Sequence, residues 1–142
     1  MPRSAEGDTS LDIDSLYRVV DAVRRALESV VDGDRLSVDR WRVLALLCGD
    51  GPSSMSHLGE RTRITPPSLT RAVDRLVDDA LAYREVDFAD RRRVLVHASA
   101  RGRRLYDRLT PAVRDAEAAA VASLDAADVR VLQNALAQSI GM

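Results

Sequence analysis

The chain has no lysine: all 21 of its basic residues are arginine, and 22 acidic residues leave a formal net charge of -1. Guanidinium groups favour bidentate contacts, but wholesale loss of lysine reads first as a bias of base composition. Cys48 is the single cysteine, so no internal disulfide forms, which fits a reducing compartment. His57 and His97 are the only histidines, and neither stands at metal-ligand spacing from the other or from Cys48, so no metal site is expected. No Gly-rich phosphate loop, nucleophile elbow or paired-carboxylate constellation is present, so neither enzyme chemistry nor a cofactor is expected. There is no run of about 18 apolar residues and no charged-then-apolar leader, which points away from a membrane and toward the cytoplasm. With 46% hydrophobic residues, seven Gly and five Pro in 142 residues, the chain suffices for one good core, and one domain is expected.

The near-neutral total hides a local excess. Between residues 61 and 114 there are thirteen arginines against seven acidic residues, while the rest of the chain has eight against fifteen. Affinity for nucleic acid depends on the phosphates neutralised by the contacting surface, so a basic segment inside an acidic protein is compatible with DNA binding.

That segment contains the most informative pattern, TPPSLTRAVDRLVDDA at 65–80. Thr65 stands where an N-cap belongs, and Pro66 takes the first helical position, where its fixed φ suits a helix and its missing N–H is not needed. Leu69, Ala72, Val73, Leu76, Val77 and Ala80 recur at three- and four-residue spacing, one apolar stripe at about 100° per residue. The opposite side carries Ser68, Arg71, Asp74, Arg75 and Asp78, with Thr70 on the flank. Basic and hydroxyl groups concentrate in the first three turns, so the N-terminal half is the DNA-facing half. A solvated helix face would look the same in isolation.

After Ala80 the period becomes strand-like. Tyr83, Val86, Val94 and Val96 form two short β-favouring runs around a tip containing Asp90, Arg91 and Arg92, which predicts a hairpin. Arginines at such a tip suit a narrow minor groove, where negative potential is concentrated. Asp90 is expected to orient the Arg92 guanidinium, since an unpaired carboxylate beside phosphates is unfavourable.

Together these features resemble the MarR family of winged-helix transcriptional regulators. The resemblance rests on LGERTRITPPSLTRAVDRL, on DRR at 90–92, on VLV at 94–96 and on SARG at 99–102, and the flanking helices match in order and length. Two departures stand out: Ala80 where many relatives have Gly after the recognition helix, and Phe88 where they have Pro at the wing entrance. If Ala80 is left-handed it carries a strain of about 1 kcal/mol.

The resemblance implies a mainly α fold with a small β-hairpin: a winged helix-turn-helix core at 37–98 and dimerisation helices at 11–36 and 99–142; residues 1–10, polar and small, read as a flexible arm. It implies a homodimer that reads an inverted-repeat operator in double-stranded DNA. The expected contacts are Pro67, Ser68, Thr70, Arg71 and Arg75 on the helix and Asp90, Arg91 and Arg92 on the wing. It also implies a repressor answering to a small aromatic or phenolic effector, in a pocket bordered by the first, second and fifth helices near Trp41.

The remaining chain supplies the flanking helices. Leu16, Val20, Val23, Leu27 and Val30 trace a stripe from Leu11 to Val31; a second helix starts at Ser37 with Trp41, Leu44, Leu47 and Cys48 inward; a short one spans about 55–62. Ser99 caps a long helix that Pro111 is expected to kink, and Val129, Leu132, Leu136 and Ile140 mark a last helix from about Asp125. Leu16, Val20, Leu132 and Leu136 have no obvious cover, for which a second copy is the simplest source. Two other readings stay open: a winged-helix module for protein contact, and a redox sensor acting through Cys48, a residue that is also an ordinary small core hydrophobe.

Overall fold

The computed structural model describes residues 13–140. The order is α1 (Ile13–Val31), a 3-10 turn (Asp32–Asp34), α2 (Val38–Asp50), β1 (Ser53–Ser54), α3 (Met55–Thr62), α4 (Pro66–Asp78), β2 (Ala82–Val86), β3 (Val94–Ala98), α5 (Ala100–Ala122) and α6 (Ala126–Ile140). The expected arm at 1–10, and Leu11, lie outside the described residues. Among the described residues, no helix is long and apolar enough to cross a membrane.

Local chemistry sets the helix starts. Ser37, Ser54 and Ser99 each accept a backbone N–H three residues on, at 3.1, 3.2 and 3.0 Å, and Asp125 does the same for Asp128 at 2.8 Å. Thr65 is different: it sits at the N-cap of α4 with extended backbone, but its side chain accepts no capping bond. Pro66 and Pro67 follow it and have no N–H, so two of the donors a cap would satisfy are absent.

The sheet has three strands in the order β1-β3-β2, all antiparallel, where the sequence showed only a hairpin. Ser53 pairs with Val96 and Ser54 with Leu95, while Ala82 to Val86 run against Ala98 to Val94. A two-residue strand is too short to display a period, and it forms because the start of α3 is held against β3.

One core runs through the molecule. Leu69, Ala72, Val73 and Leu76 of α4 are buried as their spacing predicts, against Leu44 and Leu47 of α2, Leu58 of α3 and Val96 of β3. Leu27 and Val31 of α1 and Leu109 and Val113 of α5 belong to the same cluster. The first helix is therefore partly covered by its own chain, and its buried line differs from the predicted one: Ser15, Val19, Leu27 and Val31 are buried, while Val20 is 62% exposed. Helix α1 is apolar on two sides, and the packing of α5 selects one of them. Helix α5 continues through Pro111.

The end of α4 is a Schellman turn. Ala80 has φ +58, its N–H donates to the Val77 carbonyl at 3.0 Å, and the Leu81 N–H donates to the Leu76 carbonyl at 2.8 Å. Ala80 thus takes the left-handed position without being glycine. The turn is clamped from the other side: Ser99 donates through Oγ to the Ala80 carbonyl at 2.6 Å and through N–H to the Leu81 carbonyl at 3.0 Å. The SARG motif starts α5 and closes α4 at once.

Candidate nucleic-acid interface

Helix α4 buries one side and leaves Thr70, Arg71, Asp74, Arg75 and Asp78 exposed on the other, with Pro67 exposed and Ser68 half-buried in its first turn. The Thr70 hydroxyl donates back to the Pro66 carbonyl at 3.0 Å, and Arg71 Nη2 donates to Ser68 Oγ at 3.3 Å. Arg75 lies one turn further, with Nε 3.5 Å from the Asp79 carboxylate. Ser68 and Arg71 therefore form one cluster near the helix start, and Arg75 leans toward its end.

Arg84 of β2 hydrogen-bonds to the Asp74 carboxylate of α4. This contact joins the root of the wing to the helix on their exposed side. Ring stacking of Tyr83 on His97, with centroids 4.8 Å apart, joins the two wing strands.

The wing tip is organised by two aspartates. Asp87 Oδ1 accepts the Ala89 N–H at 3.0 Å, and Asp90 Oδ1 accepts the Arg92 N–H at 3.0 Å. The Asp87 N–H donates to the Arg93 carbonyl and the Arg93 N–H to the Asp90 carbonyl, both at 2.9 Å. The two side-chain bonds form Asx turns. Asp90 was expected to hold the Arg92 guanidinium; it holds the Arg92 backbone instead, because a carboxylate two residues away reaches the amide at no cost in arginine side-chain freedom. Arg91 and Arg92 are exposed and have no acidic partner among the described residues. Phe88, where a relative's proline would stand, is 94% exposed.

Arg40 escaped the sequence reading. It lies on the first turn of α2 and lines a hollow of about 370 Å³ with Ser37, Ser68, Arg71 and Arg75, and its Nη1 is 3.8 Å from Asp79. No signal in its own helix marks it, since only the packing of α2 on α4 brings it to this face.

Trp41 is buried and stacks on Tyr106 of α5 with ring centroids 5.4 Å apart. Helices α2 and α5 meet there as packed core. A concavity of about 600 Å³ does lie between α1 and the start of α2, but its lining, which includes Arg24, Glu28, Leu36 and Val38, does not include Trp41.

Cys48 is half-buried, and burial pushes its thiol above the usual value, with Arg103 acting in the opposite direction and Asp107 adding to the rise. The thiolate is the reactive form, so this environment disfavours an oxidant sensor. Among the described residues, no group of three or more His, Cys, Asp or Glu could hold a metal ion.

Residues 36–93 match the profile of the MarR family. The chain is 26% identical over 94 residues to the HTH-type transcriptional regulator FarR of Neisseria gonorrhoeae, a match covering 66% of this chain but 64%, just under two thirds, of that protein. It is 23% identical over 128 residues to the homoprotocatechuate degradative operon repressor of Escherichia coli, covering 90% of this chain and 86% of that one. Its fold matches BpsR of Bordetella bronchiseptica, from a study of how 6-hydroxynicotinic acid regulates that protein's DNA binding, with TM-score 0.75 and 23% identity over 92% of this chain and 93% of that chain. With its helix-turn-helix, its wing and its flanking helices in this order, the chain has the MarR-type winged-helix fold, and its residues 36–93 are similar to the MarR family.

Proposed function

We propose that the chain is a homodimeric, sequence-specific transcriptional repressor that binds an inverted repeat in duplex DNA and releases it when a small aromatic anion binds. The observation that carries this reading is that α4 and the wing, joined by the Arg84 to Asp74 contact, both carry exposed arginines: Arg71 and Arg75 on the helix, Arg91 and Arg92 at the wing tip. Residues 37–98 form the DNA-binding core in this reading. The first turns of α4, including Pro67, Ser68 and Thr70, enter the major groove, while the wing tip shaped by Asp90 meets the backbone and minor groove.

Dimerisation is supported by an apolar line with no cover among the described residues. Ile13, Tyr17 and Val20 recur at helical spacing on the outer side of α1, and Leu136 is exposed on α6. Two-fold pairing through these helices sets two copies of α4 about one DNA turn, about 34 Å, apart. Regulation by a small molecule draws on BpsR, whose DNA binding 6-hydroxynicotinic acid regulates. Such a protein acts in the cytoplasm, where the genome lies.

The test is to sequence the genomic fragments that the purified protein retains, then titrate the recovered duplex and a scrambled one by fluorescence anisotropy at several salt concentrations. A shared inverted repeat bound more tightly than the scrambled duplex is expected. Equal retention of all fragments would remove the sequence specificity, and retention of none at moderate salt would leave a winged helix used for protein contact.

A further inference from the structure

We propose that the cleft between the end of α4 and the first half of α5 binds a free oligophosphate, and that this ligand competes with DNA for Arg75. The competition rests on the DNA reading above; the binding site does not.

The cleft has a volume of about 600 Å³. One wall is α5, where Arg101, Arg104 and Arg108 recur at helical spacing; Arg35 approaches from the link between α1 and α2, and Arg75 from α4. Its two carboxylates are already engaged. Asp34 accepts from Arg108 at 2.7 Å, and Asp79 is 3.5 Å from Arg75 and 3.8 Å from Arg40. Arg35, Arg101 and Arg104 have no acidic partner among the described residues, so the cleft presents three uncompensated guanidinium charges.

Stability does not explain this arrangement. Helix α5 begins at Ala100 and has no acidic residue in its first turn, so Arg101 stands at its positive end, where a cation is unfavourable, and Arg104 follows within one turn. Nor does the cleft suit a flat aromatic ligand. Its lining contains no aromatic ring, and only Leu81 and Leu105 contribute apolar side chains. Several guanidinium forks converging on a polar cleft select a ligand rich in phosphate oxygens, which accept paired N–H bonds.

Arg75 gives the site a route to control. It lines this cleft and also the hollow beside Ser68 and Arg71 on the face proposed to meet DNA. A phosphate chain bound between Arg101 and Arg104 attracts the Arg75 guanidinium, which then cannot serve a base or a DNA phosphate.

Sodium tripolyphosphate is the probe. Calorimetric titration without DNA is expected to show one tripolyphosphate per chain, with affinity about ten-fold or more weaker in R101Q/R104Q, each lost pair of charge-assisted bonds being of that order. Arg35→Gln, outside α5, is expected to weaken binding as well, which guards against a helix defect; circular dichroism and melting of each variant verify folding. In the DNA arm, tripolyphosphate is expected to lower the duplex affinity of the wild type more than sodium chloride at equal ionic strength, and to lose that excess in R101Q/R104Q. Absence of heat up to millimolar tripolyphosphate, or equal binding by the variants, overturns the site. If the wild type binds no tripolyphosphate while R101Q/R104Q loses duplex affinity, the arginines serve DNA phosphates and the free-ligand proposal fails. Binding that leaves duplex affinity unchanged overturns the competition. Binding by a protein that retains no duplex at all upholds the site and removes the DNA reading instead.

Discussion

A Cβ on Gly102 would stand 2.1 Å from the carbonyl oxygen of Leu81, closer than any side chain can approach a backbone atom. The same Cβ would lie 3.0 Å from the Leu81 carbonyl carbon and 3.2 Å from Leu44 Cδ1. The backbone of α5 therefore rests directly on the turn that ends α4, and the position of the wing root depends on that contact.

Gly102→Ala is expected to destabilise the protein by about 3 kcal/mol, at the upper end for overpacking, because the obstructing atom is backbone fixed by the Ser99 N–H. Urea denaturation followed by circular dichroism checks it. A loss near zero would show that α5 can lift off the turn freely.

Ala80→Gly is expected to act in the opposite direction. The left-handed φ of Ala80 costs about 1 kcal/mol in an L-residue, and part of the relief is offset by the greater unfolded-state freedom of glycine. A rise in Tm of about 2 °C follows for a chain of this size. Thermal melting of the two proteins side by side gives the answer, and an unchanged or lower Tm would contradict it.

At the wing, Asp90→Asn and Asp90→Ala are expected to separate. Asparagine keeps an oxygen to accept the Arg92 N–H and retains the Asx turn, so DNA affinity stays near wild type; alanine loosens the tip and weakens all duplexes alike. Arg92→Ala is expected to weaken binding evenly and to flatten the salt dependence by nearly one unit per lost phosphate contact, about 0.9. Arg71→Ala is expected to cost about 1 to 3 kcal/mol per base contact and to relax base preference in both half-sites. Equal behaviour of asparagine and alanine at position 90 would mean that the oxygen has a different task.

Cys48 is expected to react slowly with a disulfide reagent. Its raised folded pKa means that less thiolate is present at any pH below it than in an exposed thiol, and the rate keeps climbing at pH values where a free thiol has levelled off. Stopped-flow thiol titration across the alkaline range reads this directly. In the unfolded chain the rate returns to that of a free cysteine.

Tyr17→Asp is expected to give monomers and weak DNA binding, since Tyr17 is 69% exposed in the single chain and central to the apolar line of α1. Sedimentation at micromolar concentration distinguishes the outcomes. A variant that sediments with the wild type would move the dimer contact elsewhere.

The sequence by itself determined where helices begin and which side of α4 faces inward. Those signals are local: Ser99 reaches an amide three residues on, Pro66 sets its own φ, and Leu69 to Leu76 share a stripe whatever covers it. It also carried the family pattern, since DRR, VLV and SARG are short and contiguous. Tertiary structure alone decided the rest. Whether Val19 or Val20 of α1 is buried depends on the approach of α5, and β1 exists only because β3 lies beside it. Asp90 chose an amide over a guanidinium through the geometry of the turn. Arg75 shares one hollow with Arg40 and a separate cleft with Arg101, because α2, α4 and α5 pack around one core. Contacts between residues distant in sequence are set by the surfaces that pack, and no periodicity within one segment encodes them.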